Sequence, residues 1–284
     1  MTFLYWTVTM LQSERTEFAG LGARRERTAH GAAYVETGHG EPLVLIHGVG
    51  MRLEAWAPQV AALSDRWRVI AVDMPGHGKS DRLDPGARLE DFVAWLRVFF
   101  DDLKLDRVSL AGHSMGALIA GGAAVTFGAC IRRVALLNGV YLRDADAKAA
   151  VVARAEMIGK GAVDVDGPLK RWFGDSSETA SVYELTRGWL QAVDPEGYAT
   201  AYSAFANGDA IYAARWSEVG CPALFLTGSE DPNSTPEMAR AMAAAALCGW
   251  ARIIEGHRHM VNLTAPDAVN AILEDWLSKE GEKS

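Results

Sequence analysis

Short apolar runs rich in β-branched residues recur along the chain at intervals set by longer segments of helical period. The runs are "AAYVETG" (32–38), "PLVLIHG" (42–48), "RVIAVDMPG" (68–76), "DRVSLAG" (106–112), "RRVALLNG" (132–139), "PALFLTG" (222–228) and "ARIIEG" (251–256). Several are apolar at successive positions rather than alternate ones, as expected of strands covered on both faces. Between them lie "EAWAPQVAALSDRW" (54–67), "ARLEDFVAWLRVFFDDLKL" (87–105), "MGALIAGGAAVTFG" (115–128), "TPEMARAMAAAAL" (235–247) and "APDAVNAILEDWLSKEG" (265–281), which read as helices. Strand and helix in alternation demand a mostly parallel sheet, because parallel neighbours need a crossover and the crossover helices must cover the sheet. An all-helical bundle and a β-sandwich are both excluded, and the expected class is α/β.

The alternation lapses between residues 141 and 212, where Trp, Tyr and Phe sit in helical segments such as "LKRWF", "VYELTRGWLQAV" and "EGYATAYSAFANGD". The organisation predicted is one α/β core built from residues 1–140 and 213–284, with residues 141–212 inserted as a helical lid.

Composition narrows the function. A net charge of −8 and the lack of a basic stripe argue against nucleic-acid binding, which needs clustered Lys and Arg to neutralise phosphates. The short runs "GARRER" (22–27) and "IRR" (131–133) read as solvated. Cys130, Cys221 and Cys248 show no paired spacing, which argues against a disulfide framework or a zinc site and fits a reducing, cytoplasmic compartment. The apolar opening "MTFLYWTVTMLQSE" lacks a basic n-region and a cleavage site, and reads as a loosely attached leader with Met10 as a candidate start. No run reaches eighteen uninterrupted apolar residues, so no membrane span or membrane partner is expected.

The stretch joining "DRVSLAG" to the next helix carries the chemistry. Gly112-His113-Ser114-Met115-Gly116 fits G-x-S-x-G between a predicted strand and a predicted helix, the setting of a nucleophile elbow. Its glycines are needed because strand and helix approach closely on either side of the serine. Gly121 and Gly122 extend the small surface along the helix. A nucleophilic hydroxyl needs a base, and the base needs an orienting acid. "LFLTGSEDPNSTP" supplies Asp231 after a strand end, ahead of its neighbour Glu230, because the Asp-Pro turn suits a carboxylate held at the sheet's carboxyl edge. "EGHRHMVNLTAP" supplies two histidines, His257 and His259, and periodicity does not choose between them. An oxyanion hole is expected from the backbone N–H groups of Met115, which follows the nucleophile, and of Val49 in "HGVGM", where Gly48 and Gly50 let the loop turn its amides inward. His47 in that loop reads as structural.

Taken together, "HGVG", "VIAVDMPGHGKSDR", "GHSMG", "LFLTGSEDPNSTP" and "HMVNLTAPDAVNAILEDWL" resemble the α/β-hydrolase fold superfamily, in the order that family shows and from about Leu43 onward. The resemblance implies that the histidine before the "MVNLT-P" stretch, His259, is the base; Thr264 stands where relatives often carry Glu. It implies two-step acyl transfer by Ser114, His259 and Asp231, with no metal or organic cofactor. The insertion resembles the lids of 3-oxoadipate enol-lactonase-like enzymes and simple carboxylesterases, so a small ester or lactone is the expected substrate. Carbon–carbon bond hydrolases and perhydrolases share the same three residues and stay open, as does a non-catalytic receptor on this fold. Haloalkane dehalogenases and epoxide hydrolases use an aspartate nucleophile, which Ser114 replaces. For the pocket, Arg52 is a candidate clamp for a substrate carboxylate, Trp56 a candidate wall, and Trp172 and Tyr202, with Phe173, Tyr198 and Phe205, candidate lining from the lid. Oligomeric state leaves no sequence signal.

Overall fold

A computed structural model describes residues 23–161, 164–174 and 179–279. The apolar leader and its alternative start at Met10 lie outside the described residues.

One eight-stranded sheet runs through the core, in the order β1-β2-β4-β3-β5-β6-β7-β8. Its strands are β1 (Arg25–Arg27), β2 (Ala33–Thr37), β3 (Pro42–Ile46), β4 (Arg68–Val72), β5 (Val108–His113), β6 (Ile131–Leu137), β7 (Ala223–Gly228) and β8 (Gly249–Ile254). From β4 to β8 every neighbour pair is parallel, while β1 and β2 pair antiparallel at one edge. Period two along the central strands divides the side chains between two cores. Val44, Ile46, Ile70, Val72, Leu110 and Leu136 face one, and Leu43, Leu45, Val69, Ala71, Ala111 and Leu137 face the other. Both faces of the central strands are therefore dry, and those strands read as continuous apolar runs for that reason.

The helices that cover the sheet follow the predicted segments. They are α1 (Ala57–Leu63), α2 (Leu89–Asp102), α3 (Met115–Thr126), α8 (Pro236–Ala245) and α10 (Pro266–Ser278), with the short α9 (Val261–Thr264) leading into the last. The segment expected as one helix from residue 54 instead begins as a 3-10 turn, Leu53–Trp56, before α1. Pro58 explains the change, since proline is favoured in a first helical turn and lacks the N–H that a longer helix would use. Helix α3 is buried at every position but the last. It lies between the sheet, α2 and one helix of the segment joining β6 to β7, so its sequence is small and apolar all round rather than amphipathic.

Between β6 and β7 the chain forms α4 (Ala145–Gly159), α5 (Asp166–Phe173), α6 (Ala180–Gln191) and α7 (Pro195–Gly208). Asp144 and Asp194 cap α4 and α7, each accepting from a backbone N–H three residues on. Among the described residues no helix is long and apolar enough to cross a membrane.

Each of the two runs expected to be solvated buries one arginine. Arg25 lies in β1 with its side chain buried, paired with Asp73 and Glu54. Arg133 is buried as well, its Nη1 donating to the carbonyls of Trp276 and Lys279. In each case a partner distant in sequence supplies the charge or acceptor that lets an arginine leave water.

Candidate active site

β5 ends where the chain must turn sharply into α3, and Ser114 sits at the turn with φ +54° and ψ −112°. That is a left-handed conformation costly for a residue with a Cβ, and its effect is to lift the hydroxyl off the sheet's carboxyl edge. The flanking glycines are there for space. A Cβ on Gly112 would strike the carbonyl of Gly116, and one on Gly116 would strike the carbonyl of Ile46 in β3.

Two loops from the far side of the sheet bring the partners. His259 follows β8, and its Nε2 lies 3.0 Å from Ser114 Oγ. Asp231 follows β7, and its Oδ2 accepts from His259 Nδ1 at 2.8 Å. The Asp231 carboxylate is tied down: Oδ1 accepts from the backbone N–H of Asn233 (2.8 Å) and of Ser234 (3.2 Å), and Oδ2 accepts from Asn138 Nδ2 at 2.8 Å. Burial pushes this carboxyl up, but His259, Asn138 and the Asn233 amide outweigh it and leave Asp231 below the usual range, hence ionised. The neighbouring acid and histidine are elsewhere. Glu230 is exposed beside Arg258, and His257 bonds Thr264.

The surrounding histidines are structural and neutral. His113 donates from Nε2 to the carbonyl of His259 at 2.7 Å, fixing the loop that carries the imidazole. Burial, then the neighbouring His259, pushes its pKa down to about 3. His47 donates from Nδ1 to the Gly48 carbonyl and accepts from the Met74 N–H, and burial holds it well below its usual value. His77 accepts from the Gly50 N–H at 2.9 Å, bracing the loop that contains Val49, and burial lowers it to about 4. Met115 opens α3, so its N–H has no acceptor within the helix, and Val49 lines the cavity beside Ser114.

That cavity has a volume of about 260 Å³ and is bounded by the insertion helices. Trp172 and Tyr202 line it, as does Phe205, and the Trp172 ring stacks near His259 with centroids 6.1 Å apart. Phe173 turns instead toward Tyr183, and Tyr198 is buried against Tyr202. Two pocket expectations need correcting. Trp56 is fully buried in the core on the opposite face of the sheet from α3, because the 3-10 turn directs it under the strands. Arg52 is held by Glu54 two residues on, at 2.7 and 2.9 Å, and lines a different cavity with Lys79 and Arg82.

Cations do reach the Ser114 cavity from positions the sequence did not single out: Arg143 before α4, Arg154 on α4 and Arg171 on α5. Their signal is invisible in sequence, because the packing of the insertion helices decides which charges turn inward. Asn138 had a fainter signal, a polar residue directly after β6, in the row of strand ends where the other site residues lie.

A family model described as "Alpha/beta hydrolase family" matches residues 43–272. The chain is 52% identical to an (E)-2-((N-methylformamido)methylene)succinate hydrolase from Acinetobacter baylyi, over 88% of this chain and 94% of that protein. It is 27% identical to 3-oxoadipate enol-lactonase 1 of the same organism, over 79% of this chain and 84% of the relative. Among solved structures, an enol-lactonase from Burkholderia xenovorans superposes with a TM-score of 0.79 at 28% identity, covering 90% of this chain and all of that one. A malate-bound thermophilic esterase from Thermogutta terrifontis gives 0.80 at 25% identity, covering 90% and 97%.

Proposed function

The chain belongs to the alpha/beta hydrolase family and is a hydrolase, and on that premise we propose that Ser114 cleaves the formyl C–N bond of a small formamide built on a carboxylated carbon skeleton, as in (E)-2-((N-methylformamido)methylene)succinate. The observation that carries this reading is the continuous relay from Ser114 Oγ through His259 to Asp231, at 3.0 and 2.8 Å.

In the first half-reaction Oγ attacks the formyl carbon as its proton passes to His259 Nε2. Charge develops on the formyl oxygen, where the N–H groups of Val49 and Met115 receive it. The C–N bond then breaks, His259 hands its proton to the departing nitrogen, and the formyl group stays as an ester on Ser114. In the second half His259 takes a proton from water, the resulting hydroxide attacks that ester, and formate leaves as Oγ recovers the proton. Such a formamide suits machinery built for esters. Its nitrogen lone pair is shared with a conjugated double bond bearing a carboxylate, which weakens amide resonance and stabilises the leaving group. The small cavity fits a compact substrate, lying below the roughly 300–1,000 Å³ of pockets for drug-sized ligands.

A second reading, an ester or lactone substrate, is favoured by the likeness to the two enol-lactonases. One assay separates them. Purified protein is given the N-formyl compound, and in parallel p-nitrophenyl esters and lactones of matched size, with formate and acid release followed. The expected result is one formate per turnover and a kcat/KM for the formamide at least about 100-fold above the best ester or lactone. Faster turnover of an ester or lactone, with no formate from the formamide, overturns the first reading in favour of the second.

A further inference from the structure

Three guanidinium groups in a cavity of about 260 Å³ are more positive charge than its walls balance. Among the described residues of the lining the one acid is Asp144, which is exposed and caps α4 by accepting from the Ala147 N–H. Arg143 is largely committed: its side chain is 5% exposed, its Nη1 lies 3.2 Å from Asp209 and its guanidinium stacks 4.5 Å above the Phe205 ring. Yet its Nη2 is buried with no hydrogen-bond partner among the described residues. Arg154 donates from Nε to the Tyr202 hydroxyl at 3.2 Å, which leaves both terminal nitrogens available. Arg171 has no carboxylate partner among the described residues, and burial, then repulsion from Arg154, lowers its pKa. Like charges held together beside a buried donor without a protein partner repel one another, and an anion bound between them turns that cost into attraction.

We propose that Arg154 and Arg171 together take one carboxylate of the substrate and that the free Nη2 of Arg143 takes a second, making this insertion a dicarboxylate-recognition site that orients the acyl group toward Ser114. Arg143 is already paired with Asp209, so Arg154 and Arg171 leave two positive charges with no carboxylate partner among the described residues, which a ligand with two carboxylates neutralises. Planar guanidiniums suit carboxylates because they offer paired N–H donors in the matching fork geometry. All three come from the insertion, so the charged half of the ligand faces those helices and the scissile bond faces the sheet edge. This inference rests on the proposed use of the Ser114 cavity as the substrate site, and it adds the residues that select the two carboxylates.

The test separates binding from chemistry. Calorimetry on Ser114→Ala protein, which cannot turn over, is run with succinate, butyrate, neutral succinamide and inorganic phosphate. Succinate is expected to bind at least 30-fold more tightly than butyrate or phosphate, with succinamide weaker still. Adding Arg154→Gln or Arg171→Gln should each cost succinate about 10- to 100-fold, bringing it near butyrate. Arg171→Lys, which keeps the charge and loses the fork, should recover part of that loss, an outcome a merely misfolded site would not give. Equal binding of succinate and succinamide, tighter binding of phosphate, or unchanged succinate affinity in both glutamine variants overturns the proposal. Failure of the proposed reaction is read separately, as absence of formate from the wild-type protein, so the two ideas can fall independently.

Discussion

Asp231→Asn is expected to lower kcat by about 10⁴-fold while leaving the fold in place, because it changes the proton that His259 carries and little else. The carbonyl of the new amide can occupy the Oδ1 position and keep the N–H groups of Asn233 and Ser234. The amide nitrogen then falls where Oδ2 was, facing His259 Nδ1, which must become an acceptor. The ring proton moves to Nε2, and Nε2 can no longer take one from Ser114. Asn138 now donates to Oδ2, and a flip of its amide would offer Oδ1, a buried oxygen with no partner among the described residues, to the new N–H. The site is thus predisposed to absorb the substitution structurally. Steady-state kinetics on the formamide or a p-nitrophenyl ester, beside a thermal melt, decides it. A loss below tenfold with an unchanged melt would mean that the carboxylate does not set the tautomer.

The second large effect is on stability in mild acid. His47, His77 and His113 are buried and neutral, with His77 lowered to about 4 and His113 to about 3. In the unfolded chain these histidines take up protons near their ordinary value of about 6.5, so between that pH and their folded values the unfolded state binds more protons. Their contribution is therefore complete above about pH 6.5 and drains away as pH falls. At about pH 5 His77 and His113 each lose roughly 2 kcal/mol, and His47 adds a loss of the same sign. Asp73 runs the other way. Burial raises it to about 6 against the pull of Arg25, so the native state gains its proton first and recovers about 1 kcal/mol by pH 5. The net loss, about 3 kcal/mol before the further loss at His47, is a large share of the ~5–15 kcal/mol that keeps a domain folded. A melting temperature about 10 °C lower at pH 5 than at pH 7.5 is expected. A change of less than about 2 °C would show that these rings are not held neutral. Function is tied to the same protons: a charged His77 can no longer accept from the Gly50 N–H, nor a charged His47 from the Met74 N–H.

The parts of this molecule legible in its sequence are those fixed by local pattern. Strands buried on both faces betray themselves as apolar runs, and the elbow is written in five consecutive residues because two glycines are required by contacts with backbone. Asp231 and the pair His257 and His259 are reachable because each follows a strand end, and strand ends of a parallel sheet share one edge; the choice of His259 came from the family resemblance. What escaped was set by packing between distant segments. Arg25 looked solvated in "GARRER" because its partners Glu54 and Asp73 lie 29 and 48 residues away. Arg52 looked free because nothing in the sequence shows its side chain folding back onto Glu54. Trp56 faced the wrong core because a 3-10 turn replaced a helical one and changed the phase. Arg143, Arg154 and Arg171 converge only once the insertion helices have docked on α3 and the sheet edge.

The account stands or falls on whether Ser114 accepts the acyl group. Incubation with a fluorophosphonate, digestion and peptide mass mapping reads this directly. One adduct on the peptide containing Ser114, its formation slowed at least about 10³-fold in His259→Ala, is the result expected. An adduct on a different residue, or none in protein that still hydrolyses its substrate, would contradict it.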